Sequence, residues 1–530
     1  MKSEMSGKKM YVSQEIDKKV FSFFAIIIII LVYGTGIVSD DIAEIAARQR
    51  MHDFWEHFIP RGNFINTPVG NLTHMWVFSL VDIDNLLLVD IVKAVHAILS
   101  FYMVAKFFSI FLDGRSALLT SFLFIFFPVR DSITYWFMGS HMAFSICCYL
   151  FAYYLVHKDY LKRAATVALL ASFINYSSPP TALALFILCV LKKNFKKGLF
   201  LFVPNLIYCA YYIYLKNILF KVPIRSHIPP EINLLVISKQ FLLQIVTFFD
   251  TLAGPSFFLK IYYSIIENNI WAIIAIIIFV SLYLIIVVNK KTYSHRIKID
   301  KSLLAALAVL VMCSLVMFSL TGRYPQLAFN LGNRTTIYGA LLLSYLIMAV
   351  PINKYLRHGI LLLMLFSIVG VSVHWKMWNN HQVEVFHNIQ TNEDLQGFDK
   401  QGYVFVTGNQ YSKMGPFSHI EFLSEDWVVN SVFELAGYNY NEIKTRALNK
   451  RFIVKDGLLV NKKNQNIMTI GSAVNIYDSE ADKLITVSSD MLNEHIGNFP
   501  DEKRHWVQMI NNETINNAIL KLMPRLKYAF

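Results

Sequence analysis

Two adjacent carboxylates, Asp40 and Asp41, follow the first long apolar run of the chain, residues 20–38. Neighbouring carboxylates repel each other, so the pKa of one of them tends to rise. Held at the end of a spanning helix, such a group could accept the proton of an attacking hydroxyl. The pair could instead cap the next helix, with Glu44 three residues after Asp41 as the capping partner. Because Asp41 is the better placed cap, the pattern favours Asp40 as the base.

A second group of polar and aromatic side chains lies between the third and fourth apolar runs. Stacking faces beside hydrogen-bonding groups are typical of a site for a small polar substrate such as a sugar. An interfacial belt of Tyr and Trp would have a similar composition, but it accounts less well for an aspartate and a histidine. The residues predicted to contact the substrate are Asp131, Tyr135, Trp136 and His141.

Three arginines lie in connections where basic residues do not help to orient a membrane protein: Arg323, Arg334 and Arg130. A guanidinium stays charged at physiological pH and can bind a phosphate through paired hydrogen bonds. The same charge can stabilise a departing phosphate. We therefore predict that these arginines bind the phosphate of a donor. Ordinary anionic lipid headgroups are the alternative ligand, and Arg130 could simply pair with Asp131.

The composition places these groups in a membrane protein. Of the 530 residues, 55% are hydrophobic and only 16% are charged, whereas a soluble protein carries about a quarter charged residues. A helix needs about 20 residues to cross a bilayer. The sequence therefore predicts a polytopic α-helical membrane protein with about 11 transmembrane helices. The candidate spans are residues 20–38, 88–111, 116–129, 138–157, 163–177, 180–192, 197–216, 268–289, 302–320, 334–351 and 358–375.

The distribution of basic residues predicts the topology. The net charge of +13 comes from an excess of +15 in the first 375 residues, since residues 376–530 contribute −2. With a cytoplasmic N-terminus, every second connection is basic, as the positive-inside rule requires. This placement indicates membrane lipids as partners and does not suggest nucleic acid. An odd number of crossings puts the C-terminus outside, provided that the weakly amphipathic residues 234–263 do not cross.

The sequence divides into a transmembrane domain, residues 1–375, and a polar domain, residues 376–530. The first outward loop, residues 39–87, contains an amphipathic stretch at 42–59 that is typical of a helix lying in the membrane interface.

The pattern of residues in the polar domain predicts a small extracytoplasmic α/β domain. Strand-like runs occupy residues 403–406 and 451–454, and helix-like runs occupy 420–436 and 503–523. Three of its side chains could face the membrane domain or belong to the core of their own domain. They are Phe417, His419 and Trp427.

Neither a metal nor a cofactor is predicted. All five cysteines fall in apolar runs, which argues against a disulfide framework or a zinc site. The triplet of Asp82, Ile83 and Asp84 could hold a divalent cation, but three residues form too short a pattern to support one.

This layout resembles the GT-C superfamily of integral membrane glycosyltransferases. The acidic pair Asp40 and Asp41 after the first helix, the amphipathic stretch at 42–59 and the C-terminal domain at 376–530 stand where such enzymes have theirs. The resemblance implies a polyprenyl-phosphate sugar donor, inversion at the anomeric carbon and a base role for Asp40 or Asp41. It also implies a glycan, lipid or protein acceptor at the outer face of a bacterial inner membrane, with serotype-converting glucosyltransferases of the O-antigen as one plausible subgroup.

Two other classes remain open on the sequence. An O-antigen polymerase or ligase would also use outward arginines, but it tends to place its large outward loop between late spans. A flippase or transporter of lipid-linked sugars is expected to place ionisable residues near the middle of the bilayer. In this sequence the polar groups concentrate at the predicted outer ends of the spans.

Overall fold

The computed structural model describes most of the chain. The described residues are 16–51, 53–60, 62–215, 233–285, 299–321, 325–398, 403–438, 443–461, 467–500, 502–503 and 512–522. Helices form its first three quarters. They are α1 (Lys18–Val32), α2 (Asp40–Gln49), α3 (Pro68–Thr73), α4 (Leu87–Phe108), α5 (Gly114–Ile125), α6 (Asp131–Tyr135), α7 (Phe137–His157), α8 (Leu161–Ile174), α9 (Pro179–Leu191), α10 (Phe195–Tyr214), α11 (Leu234–Ala253), α12 (Pro255–Ile266), α13 (Ile270–Tyr283), α14 (Lys301–Thr321), α15 (Ile337–Ala349), α16 (Lys354–Thr391) and α17 (Glu393–Gln396).

Each of the eleven apolar runs predicted from the sequence overlaps one of these helices. Local signals set several of their starts: the Asp113 carboxylate accepts hydrogen bonds from the N–H groups of Arg115 and Ser116 and caps α5. Pro179 opens α9, because its fixed φ and missing N–H suit the first turn of a helix.

Within the part of the chain that the structure describes, fewer helices than eleven are long and apolar enough to cross a membrane. Among the described residues there are five by length and composition, or six if α5 and the segment Pro128–Tyr135, bent by 45° relative to it, form one broken span. The five are Leu87–Phe108, Phe137–His157, Leu234–Ile266, Lys301–Thr321 and Lys354–Thr391. Leu234–Ile266 covers the stretch that we did not count as a crossing, so the predicted topology beyond it depends on this helix pair.

The amphipathic helix predicted at 42–59 is broken in two. It consists of α2 and a 3-10 helix over Phe54–Phe58. The buried Arg48 holds the two pieces together, since its guanidinium donates to the backbone oxygen of His57 at 2.8 Å and to Asn71 Oδ1 at 3.0 Å. Trp55 is 70% exposed, which suits a side chain at a membrane interface.

The C-terminal part is a mixed α/β region. A four-stranded sheet has the order β4-β1-β8-β9, in which β1 runs parallel to β4 and β8, and β9 is antiparallel to β8. A hairpin, β2-β3, and a three-stranded antiparallel sheet, β5-β6-β7, accompany it. The elements are β1 (Tyr403–Thr407), β2 (Tyr411–Met414), β3 (Phe417–Glu421), α18 (Asp426–Leu435), β4 (Lys444–Ala447), β5 (Phe452–Lys455), β6 (Leu458–Asn461), β7 (Ile467–Thr469), β8 (Ala473–Asp478), β9 (Lys483–Ser488), α19 (Leu492–Gly497) and α20 (Glu513–Leu522).

The two strand-like runs of the sequence correspond to β1 and β5. The helix predicted at 420–436 is shorter, because its first residues belong to β3 and α18 begins only at Asp426. Of the helix predicted at 503–523, α20 covers the C-terminal part, and residues 504–511 lie outside the described residues.

The C-terminal region shares its core with the membrane domain. The predicted boundary after residue 375 falls inside α16, a continuous helix of 38 residues. Met414, Phe417 and Ile420 of the β2-β3 hairpin are fully buried in the main helical core. In a second core, residues of α2 in the first loop pack with residues of β1 and α18. The hairpin and the first loop therefore hold the two regions together, and each covers apolar surface of the other.

Candidate active site

Asp40 lies in the first turn of α2, where the free N–H groups of a helix favour a carboxylate. It is half-buried against α18, and its Oδ1 accepts a hydrogen bond from Trp427 Nε1 at 3.0 Å. Burial raises the pKa of Asp40 above its usual value. The Trp427 hydrogen bond lowers it, the neighbouring Glu421 carboxylate raises it, and the charge of Arg334 lowers it. The first loop, the segment that contains Arg334 and the C-terminal domain therefore all act on this carboxylate.

Asp41 has a different environment. It is fully buried, and it accepts hydrogen bonds from the backbone N–H of Val38 at 3.2 Å and of Met138 at 3.0 Å. Burial raises its pKa to about 7. The predicted capping pair with Glu44 does not form, because Glu44 instead pairs with Arg48 one helical turn later, at 2.7 Å. Asp41 thus joins the first loop to the start of α7, which leaves Asp40 as the accessible member of the pair.

Asp41→Asn is expected to destabilise the fold by about 1–3 kcal/mol, because an amide offers one oxygen for two buried N–H donors. Since folding raises the pKa of Asp41, the stability that this carboxyl group contributes is present in acid and is lost as pH rises from about 4 to 7. Thermal unfolding of the detergent-solubilised protein at pH 5 and pH 8 measures both effects, with the exposed Asp84→Asn as the control. Equal unfolding temperatures for Asp41→Asn and wild type would contradict this role.

Arg334, whose charge acts on Asp40, is itself in contact with Trp136. The guanidinium carbon of Arg334 lies 5.2 Å from the centre of the Trp136 ring, a cation–π arrangement. Gly139 makes room for this ring, since a Cβ atom there would lie 2.8 Å from Trp136 Cε3. The buried Trp136 Nε1 has no hydrogen-bond partner within the described ranges. We call Asp40, Trp136, His141, Arg334 and Trp427 the Asp40 site.

His141 belongs to this site because it lies within electrostatic reach of Arg334. Its ring centre is 5.6 Å from that of His74, which stacks on His96 at 4.0 Å. Burial and the two neighbouring imidazoles lower the pKa of His74 well below its usual value, so this residue is neutral at pH 7. Among the described residues, no group of three or more His, Cys, Asp or Glu side chains is arranged to hold a metal ion.

Asp131 does not face this site, although we predicted that it contacts the substrate. It is buried, and its Oδ2 accepts hydrogen bonds from Trp375 Nε1 at 2.8 Å and from His419 Nε2 at 2.7 Å. Lys260 Nζ lies 3.4 Å from the same oxygen, and Asn333 Nδ2 donates to Oδ1. Both carboxylate oxygens are therefore occupied by the protein itself, and Asp131 joins the membrane helices to β3.

The His419 ring in this network is neutral. Its Nδ1 accepts a hydrogen bond from the backbone N–H of Asn330 at 3.1 Å, so the ring proton is on Nε2, which points to Asp131. Burial, together with the charge of Lys260, lowers the pKa of His419 to about 4. The network therefore carries one negative and one positive charge, on Asp131 and Lys260.

The remaining predicted residues lie deeper or outside the described residues. Arg130 is buried 4.4 Å from the Phe124 ring centre and forms no pair with Asp131; its Nε and Nη1 find no partner among the described residues. Tyr135 packs against Trp375. Arg323 lies outside the described residues. Of the predicted donor-binding arginines, the structure thus brings only Arg334 to Asp40 within the ranges that it describes.

The Asp40 site also contains groups from the C-terminal domain that the sequence did not assign to it. Trp427 and Glu421 approach Asp40 from α18 and β3. The sequence left open whether Trp427, His419 and Phe417 face the membrane domain, and all three do. Phe417 stacks on Phe329 with ring centres 4.2 Å apart. Nothing in a single sequence shows these pairings, since the partners come from distant segments.

No family model matches this chain, and no curated protein or solved structure is significantly similar to it. Inference about its function therefore starts from the chemistry of the Asp40 site and from the layout of the chain.

Proposed function

We propose that the chain is an inverting glycosyltransferase that moves a sugar from a polyprenyl-phosphate donor to an acceptor at the outer face of a bacterial inner membrane. One observation carries this proposal: Asp40, a half-buried carboxylate, accepts a hydrogen bond from the Trp427 indole and lies within electrostatic reach of Arg334, whose guanidinium lies over the Trp136 ring. A base, a phosphate-binding cation and aromatic faces are the groups that such a transfer requires.

The proposed reaction is a single displacement. The acceptor hydroxyl gives its proton to a carboxylate oxygen of Asp40 while its oxygen forms a bond to the anomeric carbon of the donor sugar. The bond between that carbon and the phosphate oxygen breaks, and its electron pair stays on the phosphate. Arg334 stabilises the charge that develops there. The proton on Asp40 then passes to solvent. The layout that resembles GT-C enzymes supports this assignment of Asp40.

The position of the ionisable groups favours this enzyme over a transporter. Asp40 and Arg334 lie at helix ends beside a polar domain, whereas a transporter is expected to bind its substrate near the middle of the bilayer. Asp131 and Lys260, the buried pair in the bundle, already satisfy each other. Neither of these two side chains is therefore free to bind a transported solute.

Arg334→Gln is expected to raise the KM for the donor by about 10–100-fold, because a hydrogen bond to a charged group contributes about 1.5–3 kcal/mol. Arg334→Lys keeps the charge but loses paired hydrogen bonding, so it should fall between Arg334→Gln and wild type. The measurement is steady-state transfer by the purified full chain in nanodiscs. Arg163→Gln is the matched control, since Arg163 also lies over an aromatic ring, that of Tyr160, but belongs to α8.

The proposal is tested by supplying this preparation with radiolabelled polyprenyl-phosphate hexoses and the delipidated surface polysaccharide, lipid extract or surface proteins of the host. Transfer of label to one of these fractions is expected. Transfer only of intact oligosaccharide from a polyprenyl diphosphate would instead identify a polymerase or ligase. Label that crosses the membrane of sealed vesicles without transfer would identify a flippase.

A further inference from the structure

We propose that Trp427 binds the acceptor and that the acceptor is a carbohydrate, so that the C-terminal domain selects what is glycosylated. This inference rests on the proposed function and deepens it. It names the acceptor class, which the chemistry of Asp40 alone leaves open, and assigns its recognition to a single indole ring.

The exposure of Trp427 is unusual for its position. Its neighbours Val428, Val429 and Val432 on α18 are fully buried in the second core, yet Trp427 is 47% exposed. Its Nε1–H points at Asp40 Oδ1, so the edge of the indole is fixed beside the carboxylate while much of the ring is open to solvent. A large exposed apolar surface beside the proposed base suits a substrate better than a core.

The ring is held on a rigid support. α18 packs against α2, and Arg50 Nε pairs with Glu434 Oε1 at 3.3 Å near the other end of the two helices. At the start of α18, Asp426 accepts a hydrogen bond from the backbone N–H of Ala447 at 3.0 Å. These contacts fix Trp427 relative to Asp40, which an acceptor hydroxyl needs if its oxygen is to lie within hydrogen-bond reach of the base.

The surroundings of the ring favour a carbohydrate over a lipid or a peptide. A pyranose has an apolar C–H face that stacks on an aromatic ring and a rim of hydroxyls that bond to charged groups. Charged groups of this kind lie near Trp427: Asp426, the residue before it, pairs with Arg446 at 3.2 Å, and Glu421 acts by its charge on Asp40, the hydrogen-bond partner of Trp427. The charged side chains of Asp426 and Arg446 do not suit a lipid tail. A peptide that adds as a strand would need unpaired strand backbone, whereas the β2-β3 hairpin is buried in the helical core.

Two substitutions at position 427 separate stacking from the hydrogen bond. Trp427→Leu removes the aromatic face and is expected to raise the KM for delipidated host polysaccharide about tenfold or more, with an unchanged KM for the polyprenyl-phosphate hexose. Trp427→Phe keeps a stacking face but loses Nε1, and its acceptor KM should stay within about threefold of wild type. Trp55→Leu is the matched control, because Trp55 is also exposed but belongs to the first loop.

The outcomes are distinguishable. An unchanged acceptor KM in Trp427→Leu, or an equal rise in the donor KM, overturns this inference. Wild-type transfer to lipid or protein but not to polysaccharide also overturns it, while the proposed function stands. If wild type transfers label from no polyprenyl-phosphate hexose to any fraction, the proposed function fails and this inference fails with it.

Discussion

Asp40→Asn is expected to lower the turnover number for sugar transfer by about 10²–10⁴-fold, the usual contribution of a general base. The amide has nearly the shape of the carboxylate and can still accept the hydrogen bond of Trp427 Nε1, so folding and donor binding should be preserved. The measurements are the turnover number and donor KM of the purified chain in nanodiscs. Asp53→Asn is the matched control, because Asp53 is exposed in the same loop and caps a 3-10 helix, a role that asparagine also fills.

The pH dependence adds a second test of the same residue. A base must be ionised to accept a proton, and burial raises the pKa of Asp40. The value of kcat/KM should therefore rise with pH through a range above that of an ordinary carboxyl group and then level off. This acidic limb should be absent from the residual activity of Asp40→Asn. Wild-type turnover in that variant would remove Asp40 from the mechanism, and loss of activity in Asp53→Asn would point to a general effect on the loop.

Lys260→Met is expected to destabilise the protein by about 3–5 kcal/mol, because it leaves the Asp131 carboxylate buried without its cation. Both side chains are at most 2% exposed, so water cannot replace the lost partner. Since Asp131 also accepts a hydrogen bond from His419 of β3, we expect the β2-β3 hairpin to leave the helical core first. Thermal unfolding, together with limited proteolysis of the C-terminal region, measures both effects.

A double-mutant cycle identifies the source of this loss. Asp131→Asn removes the negative charge, so the pair Asp131→Asn and Lys260→Met should be less destabilised than the sum of the two single variants. Lys239→Met is the matched control, since Lys239 is exposed on the neighbouring helix α11. Strict additivity in the cycle, or equal losses in Lys260→Met and Lys239→Met, would show that this network does not hold the hairpin.

The sequence determined the features that depend on neighbouring residues. Each apolar run long enough to suggest a span overlaps a helix, because hydrophobicity and helix-starting residues act over a few turns. It also located β1 and β5. The choice of Asp40 rather than Asp41 as the base stays a prediction. It rested on capping by Asp41 with Glu44, whereas in the structure Asp41 accepts hydrogen bonds from two backbone N–H groups, one of them on α7.

Only the tertiary structure decided which predicted groups meet. The partners of Asp131 lie 129, 202, 244 and 288 residues further along the chain, at Lys260, Asn333, Trp375 and His419. Trp427 reaches Asp40 across 387 residues. Such pairings follow from how the helices and the C-terminal sheet pack. The local sequence does not predict them. An aspartate that binds a substrate and one that joins two domains have the same side chain and differ only in the residues that surround it.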